Sequence, residues 1–138
     1  MYEYKAEVTR VIDGDTIDAN IWLGFDVVLP SQRIRLFGID TPESRTRNKE
    51  EKIRGLLSKQ HMQDMCPKGH TIRLESKDRG KFGRILGIIY QMSEDISINQ
   101  KMCDDGYAVP YYGGNKDGLE ELHMANKQKL IQLGVLEE

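Results

Sequence analysis

Five side chains in three polar runs have types and spacings that suit one reaction. They are Asp15 in Asp13-Gly14-Asp15-Thr16, Arg35, Asp40 and Glu43 in the run from 35 to 43, and Arg84 at the end of Lys81-Phe82-Gly83-Arg84. Cleaving a phosphodiester needs a hard cation, held by a few oxygens, that polarises the phosphate and helps deliver a water. It needs a carboxylate to take or orient the water's proton. It also needs cationic forks on the non-bridging oxygens as charge gathers there. Asp15 and Asp40 suit the ligand role, Glu43 the base, and Arg35 and Arg84 the forks, since arginine offers two parallel donors where lysine does not. Pro42 fixes its own φ and pushes Thr41 out of the α region, so Asp40-Thr41-Pro42-Glu43 is expected to turn. Such a turn can aim the Thr41 carbonyl and the Asp40 carboxylate at one ion, with Glu43 near enough to share its water.

Taken singly, each residue has an ordinary reading. Aspartates favour turns by bonding their own backbone, Arg35 and Arg84 could be exposed strand or hairpin charges, and Glu43 a solvated loop acid. Arg33, two positions from Arg35, reads as an exposed strand arginine. The combination carries the chemistry.

The elements that must position these groups are legible in the pattern. Ile17, Ala19, Ile21 and Leu23 alternate with Thr16, Asp18, Asn20 and Trp22, the period-2 mark of a half-buried strand. Ala6, Val8 and Ile12 suggest a strand before it. Leu29-Pro30-Ser31 is expected to break the chain, after which Ile34 and Leu36 alternate with Arg33 and Arg35. Two further strands are expected around Thr71 to Glu75 and Arg84 to Tyr90, joined by a polar hairpin from Lys77 to Gly83. Capping-box spacing, in which the cap oxygen and the residue three along satisfy free helix amides reciprocally, marks three helix starts: Asn48 with Glu51, Ser97 with Gln100, and Asp117 with Glu120. Gly106 and Gly134 are natural left-handed stops for the second and third helices. The first helix is expected to present Ile53, Leu56 and Leu57 on one face. Five strands with a helix between the third and fourth is the order of an OB-type barrel, an α+β fold that is mainly β barrel.

The 138 residues read as one domain, 1–138, without repeats or linkers, and the net charge of -2 argues mildly against gripping nucleic acid by charge alone. A metal held by carboxylates can supply part of the phosphate-binding charge, so the balance leaves that question open. No apolar run reaches the length of a membrane span and no leader is visible, so the expected compartment is cytoplasmic, or secreted if a leader was removed. Cys66 and Cys103 read as reduced thiols, with a disulfide as the alternative. His61, His70 and His123 lack zinc-site spacing and read as surface or half-buried residues. Arg45, Arg47, Lys49, Lys52 and Arg54 form either a guide for a phosphate backbone or a solvated helix start.

Val11-Ile12-Asp13-Gly14-Asp15-Thr16, Arg35-Leu36-Phe37-Gly38-Ile39-Asp40-Thr41-Pro42-Glu43 and Gly80-Lys81-Phe82-Gly83-Arg84, followed by the run from Asn99 to Gly106 and Ala108, closely resemble the staphylococcal nuclease family. The resemblance implies a five-stranded OB barrel with three helices and a calcium site made by Asp15, Asp40 and the Thr41 carbonyl. It further implies catalytic roles for Arg35, Arg84 and Glu43, and an outer position near the metal for Asp13. Lys81 matches a lysine that reaches a terminal phosphate. Tyr112, with Tyr111 as a substitute, matches a tyrosine beside the bound base. The family's activity is hydrolysis of the 5′ P–O bond of DNA and RNA with little sequence preference, leaving 3′-phosphates. The partners implied are DNA and RNA, preferably single-stranded, with the protein a monomer that binds no membrane. Phe82, where the best-known member has tyrosine, and the long hairpin from Trp22 to Gln32 depart from the pattern. The alternative is a non-catalytic OB-fold module that binds nucleic acid or protein.

Overall fold

The computed structural model describes residues 2–79 and 83–137. Along the chain lie β1 (Tyr2–Asp13), β2 (Thr16–Gly24), β3 (Val27–Leu36), β4 (Ile39–Asp40), α1 (Lys49–Met65), β5 (Thr71–Arg79), β6 (Ile85–Gln91), α2 (Ile98–Asp104), β7 (Val109–Pro110) and α3 (Leu119–Gln132). Five strands close into a barrel in the order β1-β2-β3-β6-β5. The seam is the parallel pairing of β3 with β6, through Ile34–Ile85, Arg35–Leu86 and Leu36–Gly87. β4 and β7 form a separate antiparallel pair that sets Asp40 opposite Val109. With its three helices this is the α+β, OB-like architecture expected from the strand and helix order.

Alternation builds the interior. Ala6, Val8, Ile17, Ala19, Ile21, Ile34, Leu36, Ile72, Leu74 and Ile89 are buried in one cluster, and Met62 of α1 and Ile98 and Met102 of α2 join it. In β1 a shift of register between Val8 and Arg10 reverses the parity, so Val11 enters this cluster where strict alternation from Ala6 and Val8 selects Ile12. Asn99 anchors the seam from α2. Its side-chain oxygen accepts from the Ile89 amide at 3.1 Å and its amide donates to the Phe37 and Gly87 carbonyls at 2.8 and 3.2 Å.

Several sequence expectations change. β3 runs through Pro30 and Ser31, because a bulge opposite Asn20 absorbs the residue without an amide, and Ser31 (φ 51°) donates its N–H to the Asn20 side chain at 2.9 Å. The β2–β3 hairpin turns on Phe25 and Asp26, at φ 52° and 64°, between the paired residues Gly24 and Val27. β5 extends to Arg79, into the stretch expected as hairpin, and the rest of that hairpin at 80–82 lies outside the described residues.

The face of α1 is the largest reversal. Of the expected face, Ile53 and Leu56 are exposed and only Leu57 is half-buried, while Arg54, Gly55, Ser58 and Met62 are buried. Close approach selects this face. A Cβ on Gly55 would lie 2.3 Å from the Glu43 carbonyl oxygen, and one on Gly14 would lie 2.8 Å from the Ser58 Cβ. Only small residues fit between the helix and the two loops, and Arg54 is tolerated because it forks onto Glu50 at 2.7 and 2.9 Å. Glu50 also meets Lys127 of α3 at 3.1 Å. The Arg54 hydrogen bond holds the Glu50 carboxyl below its ordinary pKa, against a smaller opposing effect of burial and with help from Lys127.

Of the helix starts, Asn48 and Ser97 make the cap-oxygen half of the expected box, accepting from the Glu51 and Gln100 amides at 3.1 and 3.0 Å, while the Gln100 side chain donates to Asp104 at 2.8 Å instead of reaching back. Asp117 does not cap. α3 starts after Gly118 (φ 85°) without a side-chain cap, and the Asp117 carboxylate instead accepts from the Asn115 amide at 3.0 Å. Cys66 is buried and Cys103 half-buried, both as free thiols, and burial pushes their pKa values up to about 12 and about 11. No helix is long and apolar enough to cross a membrane among the described residues.

Candidate active site

The site lies where the β1–β2 turn meets the end of β3 and the loop after β4. Thr16 at the start of β2 pairs with Arg35 in β3, which sets Asp15 beside the guanidinium. One Arg35 nitrogen, Nη2, lies 3.4 Å from Asp15 Oδ2 and 3.8 Å from Asp40 Oδ1. The other, Nη1, donates to the Leu36 carbonyl at 2.9 Å and so fixes the plane of the fork. Asp15 is held from two more sides. Its Oδ1 accepts from the Thr16 hydroxyl at 2.9 Å, and its Oδ2 from the Thr41 amide at 3.3 Å. Asp15, Arg35, Asp40 and Thr41, drawn from separate stretches of sequence, therefore meet.

Asp13 stands one layer out, its carboxylate accepting from the Ser44 hydroxyl. Glu43 is exposed at the head of the loop, and its amide donates to Glu51 Oε2 at 3.0 Å. This bond diverts Glu51 from its expected role in the α1 capping box. The Asn48 amide donates instead to the Thr46 hydroxyl at 3.2 Å. The Glu43 carboxyl is pushed above its ordinary pKa, first by partial loss of solvent and then by repulsion from Asp15, Asp13, Asp40 and Glu51. A carboxylate so placed is a stronger base than a solvated one, which suits it to take a proton from water.

Arg84 directly precedes β6, and the pairing of Ile85 with Ile34 puts it level with Arg33 on the neighbouring strand. There Gly83, Arg84, Asp18, Ser31 and Arg33 line an open cleft of about 460 Å³. Arg33 is exposed as expected and forks onto Asp18 at 2.9 and 3.2 Å. Tyr112 stands 74% exposed with its ring edge on Phe37, centroids 5.5 Å apart. It packs so closely on Gly38 (φ 83°) that a Cβ there would lie 2.8 Å from the ring. Tyr111 turns away from this platform, its hydroxyl donating to the Gly114 carbonyl at 2.9 Å. Lys81 lies outside the described residues. Arg54, weighed with the basic run before α1, is withdrawn from solvent by Glu50.

His123 of α3 is buried, contrary to its reading as a surface or half-buried residue, and its Nε2 lies 2.9 Å from Asp40 Oδ2. Eighty-three positions separate the pair, so no local signal links them. Ser44 was missed as well, although its place directly after Glu43 was the available cue.

No three His, Cys, Asp or Glu side chains among the described residues form a ready-made metal cage. The Asp15 and Asp40 carboxylates, 3.4 and 3.8 Å from one Arg35 nitrogen, still supply hard oxygens, a set that water can complete, and the Thr41 amide ties the loop after β4 to Asp15. The residues present fit a hard divalent cation.

Comparison with known proteins identifies relatives of the chain. The family model described as "Staphylococcal nuclease homologue" matches residues 33–132, most of the chain. A protein named micrococcal nuclease from Shigella flexneri is 29% identical over 83% of this chain and 64% of its own length, so the chain spans just under two thirds of that relative. Protein ParB of Escherichia coli is 32% identical over 96% of this chain and 72% of its own length. A thermonuclease of Staphylococcus hyicus is 29% identical over 91% and 71%. With the closed barrel, the three helices and the match over residues 33–132, the chain belongs to the staphylococcal nuclease homologue family.

Proposed function

We propose that this domain is a calcium-dependent nuclease that hydrolyses phosphodiester bonds of DNA and RNA with little sequence preference, acting as a monomer and preferring single strands. The convergence of Asp15, Asp40 and Thr41 around Arg35 carries the reading. Asp15, Asp40 and the Thr41 carbonyl would hold the ion, which when bound supplies Lewis-acid polarisation of the phosphate. Glu43 takes the proton of the attacking water as its oxygen bonds to phosphorus. Arg35 and Arg84 donate to the phosphoryl oxygens and offset the charge that builds on them. The bond to the 5′ oxygen breaks and that oxygen takes up a proton, leaving a 5′-hydroxyl and a 3′-phosphate. Tyr112 on Phe37 offers an exposed ring on which an unpaired base can stack.

The test is cleavage of matched single-stranded DNA and RNA oligomers with calcium or chelator, followed by analysis of product ends. Arg35→Ala and Glu43→Gln are each expected to lower turnover by on the order of 100–1,000-fold, the usual effect of removing a transition-state contact. Cleavage that survives chelation, or equal rates in wild type and both variants, refutes the mechanism.

A further inference from the structure

We infer that His123 is a positioning residue for the cation site, orienting Asp40 from the C-terminal helix and thereby joining the docking of α3 to metal binding. The inference rests on the proposed cation site and adds to it a residue from a different part of the chain. An ionised carboxylate only accepts hydrogen bonds, so the His123 Nε2 must carry the proton it shares with Asp40 Oδ2, 2.9 Å away. The bond occupies one Asp40 oxygen and turns the other, Oδ1, towards the Arg35 side of the site, 3.8 Å from its guanidinium. Without it the carboxylate can rotate about its terminal torsion, a broad, shallow one. Ligand carboxylates are commonly held by outer hydrogen bonds of this kind, and losing such a bond typically weakens metal affinity by about 10–100-fold.

The ring is itself held. His123 is 8% exposed and shares the wall of a cavity of about 10 Å³ with Pro42, Ser58, Tyr107 and Leu130, too little space for the imidazole to swing away. α3 is also tied down from the wall of the same cavity by Asn126, which donates to the Ala108 carbonyl at 2.9 Å, and by Lys127 on Glu50. These ties allow a loosened helix to be told apart from a misaimed carboxylate.

The experiment measures calcium affinity directly by titration calorimetry, without substrate, for wild type, His123→Leu, His123→Gln, Asn126→Ala and Asp15→Asn, with Tm in chelator for each. His123→Leu is expected to bind calcium about 10–100-fold more weakly than wild type. His123→Gln, which keeps a donor, should recover most of that loss. Asn126→Ala should lower Tm, as loosening of α3 requires, and leave calcium affinity within about threefold of wild type. Calcium affinity unchanged in His123→Leu, or lowered as much in Asn126→Ala as in His123→Leu, overturns the inference while the cation site stands. Wild type binding no more calcium than Asp15→Asn removes the site and the inference together.

Discussion

Arg35 faces the two carboxylates proposed as ligands, and that placement constrains every other charge around it. The guanidinium keeps Asp15 and Asp40 from repelling one another across the site, while the Glu43 carboxyl feels both of them and Asp13 as well. The consequence is a pH dependence of definite sign. The folded-state pKa of Glu43 lies above its unfolded value, so the contribution of this group to stability is fully present below the unfolded pKa and is lost as pH rises through the folded one. In chelator at about pH 7, Glu43→Gln should therefore unfold at a higher temperature than wild type, with the difference vanishing near about pH 3.5, where both states carry the proton. Thermal melts at the two pH values measure it, and a variant that melts below wild type at neutral pH contradicts the proposed electrostatics.

Among the elements, α1 shows most clearly where pattern and packing part. Its start was readable, because Asn48 carries both the cap chemistry and the spacing. Its buried face was not. Apolar periodicity picks Ile53 and Leu56, whereas the fold needs the smallest side chains where the helix meets the loop bearing Glu43. Glycine to alanine inside a helix normally stabilises it by about 1 kcal/mol. At position 55 the sign should invert, since the new methyl would meet Glu43 and Ser44 backbone atoms at 2.3–2.6 Å. Gly55→Ala should lower both Tm and nuclease turnover, with the larger effect on turnover because the displaced loop carries Glu43, the proposed base. A more stable and fully active Gly55→Ala would mean that the helix and loop are not so closely apposed. The same logic covers the bulge at Pro30, where a proline that looked like a break is absorbed by an unpaired position, and the start of α3, where Asn115 takes the carboxylate that sequence assigned to a cap.

For the molecule as a whole, the meeting of Asp15, Arg35, Asp40 and Thr41 was legible because the phosphate chemistry proposed for them demands particular side chains on short stretches of chain. Closure of the barrel was legible only as a strand count. The parallel seam of β3 with β6, like the bond from His123 to Asp40, joins residues too distant in sequence for any periodicity to register. Asn99 holds the seam, so Asn99→Ala should be severe. It would leave the Ile89 amide and the Phe37 carbonyl without their Asn99 partner, at about 1–3 kcal/mol for each buried group that water cannot reach, while the Gly87 carbonyl keeps the Phe37 amide at 2.8 Å. Urea unfolding should show a lowered midpoint and an unfolding free energy reduced by an amount of this order, and a variant matching wild type would place the seam's stability elsewhere.

The far end of the barrel offers an opportunity for engineering. Phe25 and Asp26 both adopt left-handed backbone angles that L-residues with ordinary side chains resist, and the Phe25 ring is wholly in solvent. A two-residue connection of this kind is best served by Asn-Gly. The double replacement Phe25→Asn, Asp26→Gly should raise the urea midpoint by on the order of 1 kcal/mol of stability and leave calcium affinity as it was. This reversal of the chain leaves room for a more robust domain, within reach of two codons at the opposite end of β2 from the proposed site.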